Sequence, residues 1–298
     1  MRRNSARDVS VAHVDGHAIN IVTLDDAVAC VRTRLRARRG FNFATLNLDH
    51  LVKLRGNSAF RAAYARMNFV SADGAPVAAL ARQEAPMVRR ATGADLLVPL
   101  CRMAARDKIP VALFGSTRES LDVAAQRLRA LAPGLDVAFV ASPAFGFDPF
   151  SSDADTFGAA IAASGARLCF VCLGAPKQEI FADRMAQAHR EIGFVSVGAA
   201  VDFQSGAQVR APRFVQAAGM EWAWRLASEP RRMAGRYVQC AALLSGLRIR
   251  QALGSMGVNS QQALNALREI GLLWFRSNAS RTIVAGWPAE RRLLRKAP

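Results

Sequence analysis

Long apolar runs are the first thing this 298-residue chain lacks. No stretch reaches the ~18–20 uninterrupted apolar residues that a membrane-crossing helix needs. Met1-Arg2-Arg3-Asn4-Ser5 has no apolar run behind it and does not read as a signal peptide. The expectation is an intracellular protein that meets a membrane, if at all, from its surface. Cysteine is scarce: five residues, odd in number and irregular in spacing, which excludes a disulfide framework. Cys169 and Cys172 have CxxC spacing inside the apolar run Leu168 to Leu173. Three apart on a strand, they face opposite ways and cannot jointly grip a metal, so buried structural thiols are expected. The four histidines, His13, His17, His50 and His189, are scattered. The expectation is that the chain has no Asp-x-Asp to hold a metal. No Gly-x-Gly-x-x-Gly opens a first βαβ unit, which counts against a dinucleotide-dependent dehydrogenase. Helix-turn-helix, zinc-finger and RNA-binding aromatic motifs are missing too, so nucleic acid is not the expected partner.

Acidic residues are also short, 23 against 40 Lys and Arg, for a net charge of +17. The imbalance is local. Residues 210–298 hold 15 Lys/Arg against 4 Asp/Glu, while residues 1–209 hold 25 against 19. A basic patch of that kind attracts phosphate, whether in anionic lipid, nucleic acid or a diphosphate substrate.

What is present alternates. Strand-like runs at Phe41 to Leu46, Phe69 to Ala72, Pro110 to Phe114, Val137 to Ala141, Leu168 to Leu173 and Phe194 to Val197 are separated by helix-like stretches. That rhythm predicts a parallel α/β sheet. Expected helices include Asp49 to Met67, broken near Gly56-Asn57, then Leu96 to Arg106, Arg118 to Leu131 and Gln178 to Arg190. Asn47, Asp73, Gly115, Gly174 and Gly198 recur just after strands. Turns alone explain any one of them, but five together point to a cleft at the carboxyl ends of a parallel sheet. From residue 210 Arg interleaves with aromatics, in Glu221-Trp222-Ala223-Trp224-Arg225 and Arg236-Tyr237, and the tail ends in Arg291-Arg292-Leu293-Leu294-Arg295-Lys296. The expected organisation is an α/β core over residues 1–209 and a basic, partly amphipathic helical segment over residues 210–298.

Seven ordered motifs carry a resemblance: Thr45-Leu46-Asn47, Asp73-Gly74, Arg90-Ala91-Thr92-Gly93-Ala94-Asp95, Gly174-Ala175-Pro176-Lys177-Gln178-Glu179, Val197-Gly198-Ala199-Ala200-Val201-Asp202, Arg210-Ala211-Pro212 and Glu221 to Tyr237. With them the chain resembles the TagA/WecG/CpsF family of bacterial glycosyltransferases over roughly residues 10–237. Arg89 departs from the Glu that many relatives carry there. The resemblance implies a Rossmann-like parallel-sheet core with a C-terminal basic helical appendage. It implies a UDP-sugar donor, a polyprenyl-diphosphate-linked sugar acceptor, an anionic membrane surface at the cytoplasmic side, and self-association.

Glycosyl transfer needs a base for the acceptor hydroxyl, positive charge for the leaving diphosphate and an in-line donor. Asp73 is the expected base, although an Asp at that place can simply cap the next helix. The Gly174 to Glu179 segment is expected to bind the donor: Gly174 and Pro176 shape the approach, Lys177 adds charge, and Gln178 is expected as a catalytic group that hydrogen-bonds donor or acceptor hydroxyls. Glu179, Gly115, Gly198, Asp202 and Asp95 join the expected binding set, and Thr45 and Asn47 are expected at sugar hydroxyls. Arginines stand in for a metal: Arg90 as a catalytic group, and Arg225, Arg232 and Arg236 from the C-terminal signature. No cofactor is expected.

Overall fold

Apolar runs of four to six residues, each stopped by Gly, Asn or Asp, make the central strands of the protein, whose computed structural model describes residues 10–255. The chain opens with a hairpin, β1 (Ala12–Val14) and β2 (His17–Ile19), turned by Asp15 and Gly16, both at positive φ. Helix α1 (Leu24–Arg36) follows, capped by Thr23. Then come β3 (Phe41–Leu46), α2 (Leu48–Gly56), α3 (Ser58–Ala65), β4 (Phe69–Ala72), α4 (Ala75–Ala81) and α5 (Gly93–Arg106). The second half runs β5 (Val111–Gly115), α6 (Arg118–Leu131), β6 (Val137–Ala141), α7 (Ser152–Ala163), β7 (Leu168–Cys172), α8 (Lys177–Ala188), β8 (Gly193–Ser196) and α9 (Ala200–Ser205). Three more helices close the described chain: α10 (Arg213–Ala217), α11 (Glu221–Ser228) and α12 (Pro230–Ser255).

The main sheet has six strands, all parallel, in the order β4-β3-β8-β7-β5-β6. The expected α/β architecture is therefore the observed one. From β3 the chain crosses outward to β4, and from β5 it crosses outward the other way to β6; β8 and β7 fill the middle. Such a reversal opens a crevice outside the carboxyl ends of the strands. Register brings those ends level: Leu46 pairs with Ala72, Val171 with Ser196, and Gly115 with Cys172. At ~4.8 Å per strand, the residues that follow form one row across the sheet.

Alternation along the strands feeds two cores. Val111, Leu113, Phe170 and Cys172 pack with α1, α5 and α6, while Ala112, Phe114, Cys169 and Val171 pack on the other face with α7 and α8. Cys169 and Cys172 thus face opposite ways, as strand geometry demands, and burial pushes both thiols up, away from the reactive thiolate. A full Phe cluster, with Phe181 stacked 4.6 Å from Phe114, fills the second face.

The hairpin, α1 and α9 were not foreseen from the sequence. Three-residue strands are too short to show a period, and α1 depends on capping by Thr23 and on the acids Asp25 and Asp26 in its first turn. Helix α5 starts at Gly93 rather than Leu96, because Thr92 and Asp95 form a capping box. The apolar stretch beyond Tyr237 continues a helix that begins at Pro230. One compact unit extends to Leu243; of a second, beginning at Leu244, the described residues are the end of α12. Among the described residues no helix is long and apolar enough to cross a membrane. The terminal run from Arg291 to Lys296 falls outside the described residues.

Candidate active site

Asp73 does not cap the helix it precedes. The cap of α4 is Gly74, with no side-chain hydrogen bond, and Pro76 sits in the first turn. The Asp73 carboxylate turns instead toward β3, where Thr45 Oγ1 donates to its Oδ2 at 3.0 Å and Asn47 adds a hydrogen bond. Its backbone N–H donates to the Leu46 carbonyl at 2.8 Å, which pins the turn to the neighbouring strand. Burial pushes the carboxyl up to about 6; the Arg225 charge and the Thr45 and Asn47 bonds hold it down against that. The side chain keeps some access to solvent although protein surrounds it densely. A half-open carboxylate with a proton affinity near neutral can accept a proton from a bound hydroxyl.

Asn47 has two tasks. Its side chain accepts from His50 N at 3.0 Å, so it caps α2, and it also reaches Asp73. Helix capping and site building are therefore the same residue's work.

The Gly174 to Glu179 segment lies two strands away. Its Gly174 is left-handed at φ 75°, the Ala175–Pro176 peptide is cis, and α8 starts at Lys177 without a side-chain cap. Gln178 is buried and faces inward. Its Oε1 accepts from Gly174 N at 3.3 Å and from Gly198 N at 3.1 Å, and its Nε2 donates to Glu179 Oε1 at 2.6 Å. Gln178 thus ties the ends of β7 and β8 together. Glu179 is 0% exposed beneath this loop, and burial pushes its carboxyl up to about 7, against the Gln178 hydrogen bond. Glu179 Oε2 has no hydrogen-bond partner. His50 lies beside it, with Nε2 3.8 Å from Glu179 Oε1 and Nδ1 2.7 Å from the Tyr64 hydroxyl. Burial pushes the His50 imidazole down to about 3, so it is neutral. Lys177 is half-buried at the start of α8 and makes no ion pair among the described residues, which leaves its charge available to an anion.

Because the folded-state pKa of Glu179 is raised from 4.5 to about 7, its stabilising protonated form is complete below pH 4.5 and is lost as pH rises through about 7. Glu179→Gln is expected to flatten that part of the stability-versus-pH curve. Urea midpoints at acidic and mildly alkaline pH read it directly. Parallel curves for the two proteins would show that Glu179 is ionised at no cost.

Beyond β5, glycine is required. A Cβ on Gly115 would lie 2.6 Å from the Cys172 carbonyl carbon and oxygen. The following Ser116 is left-handed at φ 49°, its N–H donates to Cys172 O at 2.9 Å, and its hydroxyl makes a short bond to Asp202 Oδ1. Gln208 Nε2 holds the other Asp202 oxygen at 3.1 Å. Gly93 is pressed just as closely: a Cβ there would meet Val197 backbone at 2.7 Å, which fits the Thr-Gly of that motif.

The expected arginines divide. Arg90 pairs closely with Glu221. Arg210 bridges Glu221, at 3.3 Å, and Asp95, at 2.6 Å. Burial raises the Asp95 carboxyl, but Arg210 and Thr92 together bring it below its ordinary value. Arg225 is exposed, with its guanidinium 5.5 Å from the Phe203 ring centroid, and its charge is felt at Asp73. Arg236 lies 2.8 Å from Asp49 Oδ1. The Arg232 side chain is outside the described residues.

Arg210, Glu221, Asp49 and Lys53 were absent from the expected site set. Arg210 and Glu221 were visible as motif residues, but their pairing was not. Contrary to expectation the chain does hold an Asp-x-Asp, Asp153-Ala154-Asp155. It occupies the first turn of α7, where residues two apart do not face one another, and Asp155 pairs with Arg184 at 2.9 Å. Among the described residues no group of three or more His, Cys, Asp or Glu could hold a metal ion.

A groove of about 770 Å³ lined by Arg32, Arg36, Arg102 and Arg106 lies between α1 and α5, toward the amino ends of β5 and β6. The groups with chemistry sit at the other end of the sheet. There the row from Asp73 through Asn47, Gly198 and Gly174 to Ser116 joins motif residues that are far apart in sequence. The family model described as glycosyl transferase WecG/TagA/CpsF matches residues 12–256, so the match reaches past Tyr237, where the closing signature had been taken to end, and includes all of α12. The chain belongs to the WecG/TagA/CpsF family of glycosyl transferases.

Proposed function

We propose that this glycosyl transferase moves a sugar from a UDP-sugar, of the N-acetylmannosamine type or a related hexose, onto a polyprenyl-diphosphate-linked sugar in cell-surface polysaccharide synthesis. The reaction takes place at the inner face of the cytoplasmic membrane. The observation that carries this reading is the Asp73 carboxylate, turned away from its own helix toward Thr45 and Asn47, and held near neutral proton affinity. Asp73 accepts the proton of the acceptor hydroxyl as its oxygen attacks the anomeric carbon. The bond from that carbon to the diphosphate oxygen breaks, and UDP leaves with the negative charge. Arg225 and Lys177 are the cations assigned to meet it, while Arg90 acts through Glu221 to hold the C-terminal signature. Gln178 sets the spacing of the Gly174 and Gly198 turns that face the donor.

The direct test is the purified protein with a panel of UDP-sugars and a short-chain lipid-diphosphate sugar, read by UDP release and product mass. A glucosyl or uronosyl product would keep the chemistry and change the donor. Absence of transfer from every UDP-sugar would sink the proposal.

With arginine and lysine supplying the positive charge, transfer is expected to survive EDTA. Loss of activity on chelation, with recovery on adding magnesium or manganese, would mean that a metal carries the diphosphate instead.

A further inference from the structure

The first two turns of α2 touch three parts of the molecule at once. Asn47, its cap, reaches Asp73. Lys53, one turn on from Asp49, donates to the Ala175 carbonyl at 3.0 Å, inside the Gly174 to Glu179 loop. Asp49 lies between them. It is buried, its Oδ2 is 2.7 Å from Lys53 Nζ, and its Oδ1 is 2.8 Å from Arg236 Nε on α12. Both contacts are close ion pairs whose angles fall short of good hydrogen bonds, since Oδ2 and Arg236 Nε have no well-aligned partner. One buried carboxylate therefore balances two cations, one from the C-terminal helix and one that holds the loop. A buried charge that loses one partner is strongly destabilised, so the two contacts depend on each other.

We propose that Asp49 is a positioning residue that makes the set of the Gly174 to Glu179 loop depend on docking of α12, through Arg236 on one side and Lys53 on the other. Without Arg236, Asp49 keeps Lys53 to itself and draws its ammonium off the Ala175 carbonyl. The loop then loses the strut that holds its Ala175–Pro176 corner against α2. A chain whose C-terminal helix is undocked thus has a loosened donor loop, although the Arg236 ion pair itself goes to Asp49 and not to that loop. Naming that loop the donor side rests on the proposed function; the mechanical link does not.

Hydrogen exchange on the intact protein, without substrate, tests the link. Arg236→Gln is expected to speed exchange ~10-fold both in residues 230–243 and in the remote segment 174–179. Faster exchange confined to residues 230–243 overturns the proposal and leaves the pair as a local anchor. Asp49→Asn, which removes the pull on Lys53, should speed exchange in residues 230–243 and leave segment 174–179 near wild type, alone or combined with Arg236→Gln; a loosened 174–179 segment in the double variant overturns the route through Asp49. Should Asp49→Asn fail to fold, Lys53→Gln decides instead. In that background Arg236→Gln should no longer alter segment 174–179, and a persisting effect there means Lys53 is not the route. In the transfer assay, Lys53→Gln should raise the KM of the sugar donor several-fold with kcat near wild type; an unchanged KM removes the positioning role. If no UDP-sugar is a substrate, the proposed function fails while the exchange arms still decide the coupling.

Discussion

Asp73→Asn is expected to lower transfer by ~10²–10⁴-fold while the protein becomes more stable. The loss follows from removing the proton acceptor. The gain in stability follows from the environment that makes the base useful. Burial raises the folded-state pKa of Asp73 from 3.8 to about 6, so the fold prefers the neutral form. The stability contributed by that group is complete below pH 3.8 and is lost as pH rises through about 6. At neutral pH the ionised carboxylate costs the native state on the order of 1–3 kcal/mol, which Asn does not incur. At ~2–4 °C per kcal/mol for a domain of this size, a melting curve resolves the shift. The same pKa predicts that kcat/KM in the wild type falls on the acid side of about pH 6. Near-normal turnover by Asp73→Asn would remove this carboxylate from the mechanism. A lower melting temperature would show instead that the carboxylate is stabilised as an anion, most directly by Arg225.

A chain cut after Val209 is expected to lose nearly all transfer, on a soluble acceptor as much as on a lipid one. The cut removes α10, α11 and α12, and with them Arg225 beside Asp73. It also strips Arg210 from Asp95, Glu221 from Arg90 and Arg236 from Asp49. Of the groups left behind Asp49 is buried, and a buried carboxylate short of a partner is destabilising, so the remaining core is expected to be weakened as well as inactive. A cut after Val238 is less clean than the family signature alone suggests. It severs α12 before Cys240 and Leu243, both of which are buried. The informative partner is a cut after Ser255, which ends with the helix and is expected to keep transfer on a soluble acceptor. What it gives up is charge, including Arg291, Arg292, Arg295 and Lys296. Each basic residue near an anionic membrane is worth ~1 kcal/mol, so vesicle binding should weaken and become more salt-sensitive. Full activity of the Val209 cut on a soluble acceptor would make the C-terminal segment an anchor only and take Arg225 and Arg236 out of the site.

The two experiments separate two uses of positive charge. The proposed role of Arg225 rests on its charge being felt at Asp73. The terminal Arg-Lys run is expected to act by accumulated charge, wherever it meets a surface. Only the first requires a fixed position, and only the first should survive high salt.

The strands, the turns that end them and the parallel order of the α/β layers could all be read from the sequence. They rest on local physics: short apolar runs such as Phe41 to Leu46, and Gly or Asp where the backbone must turn. The Asp73-Gly74 turn and the Gly174 to Glu179 segment were recognisable for the same reason, since each is a contiguous piece of chain. The tertiary structure alone decided how those pieces are joined. Arg210 meets Asp95 from 115 residues away, Arg236 meets Asp49 across the length of the sheet domain, and Thr45 rather than α4 receives the Asp73 carboxylate. That Gln178 ties β7 to β8 through Gly174 and Gly198 was likewise decided by the fold, because inward orientation is set by what covers a side chain and not by its own spacing. A charge in sequence has no partner until the fold brings one within reach. Burial then decides both how strongly the two bind and how far the proton affinity moves.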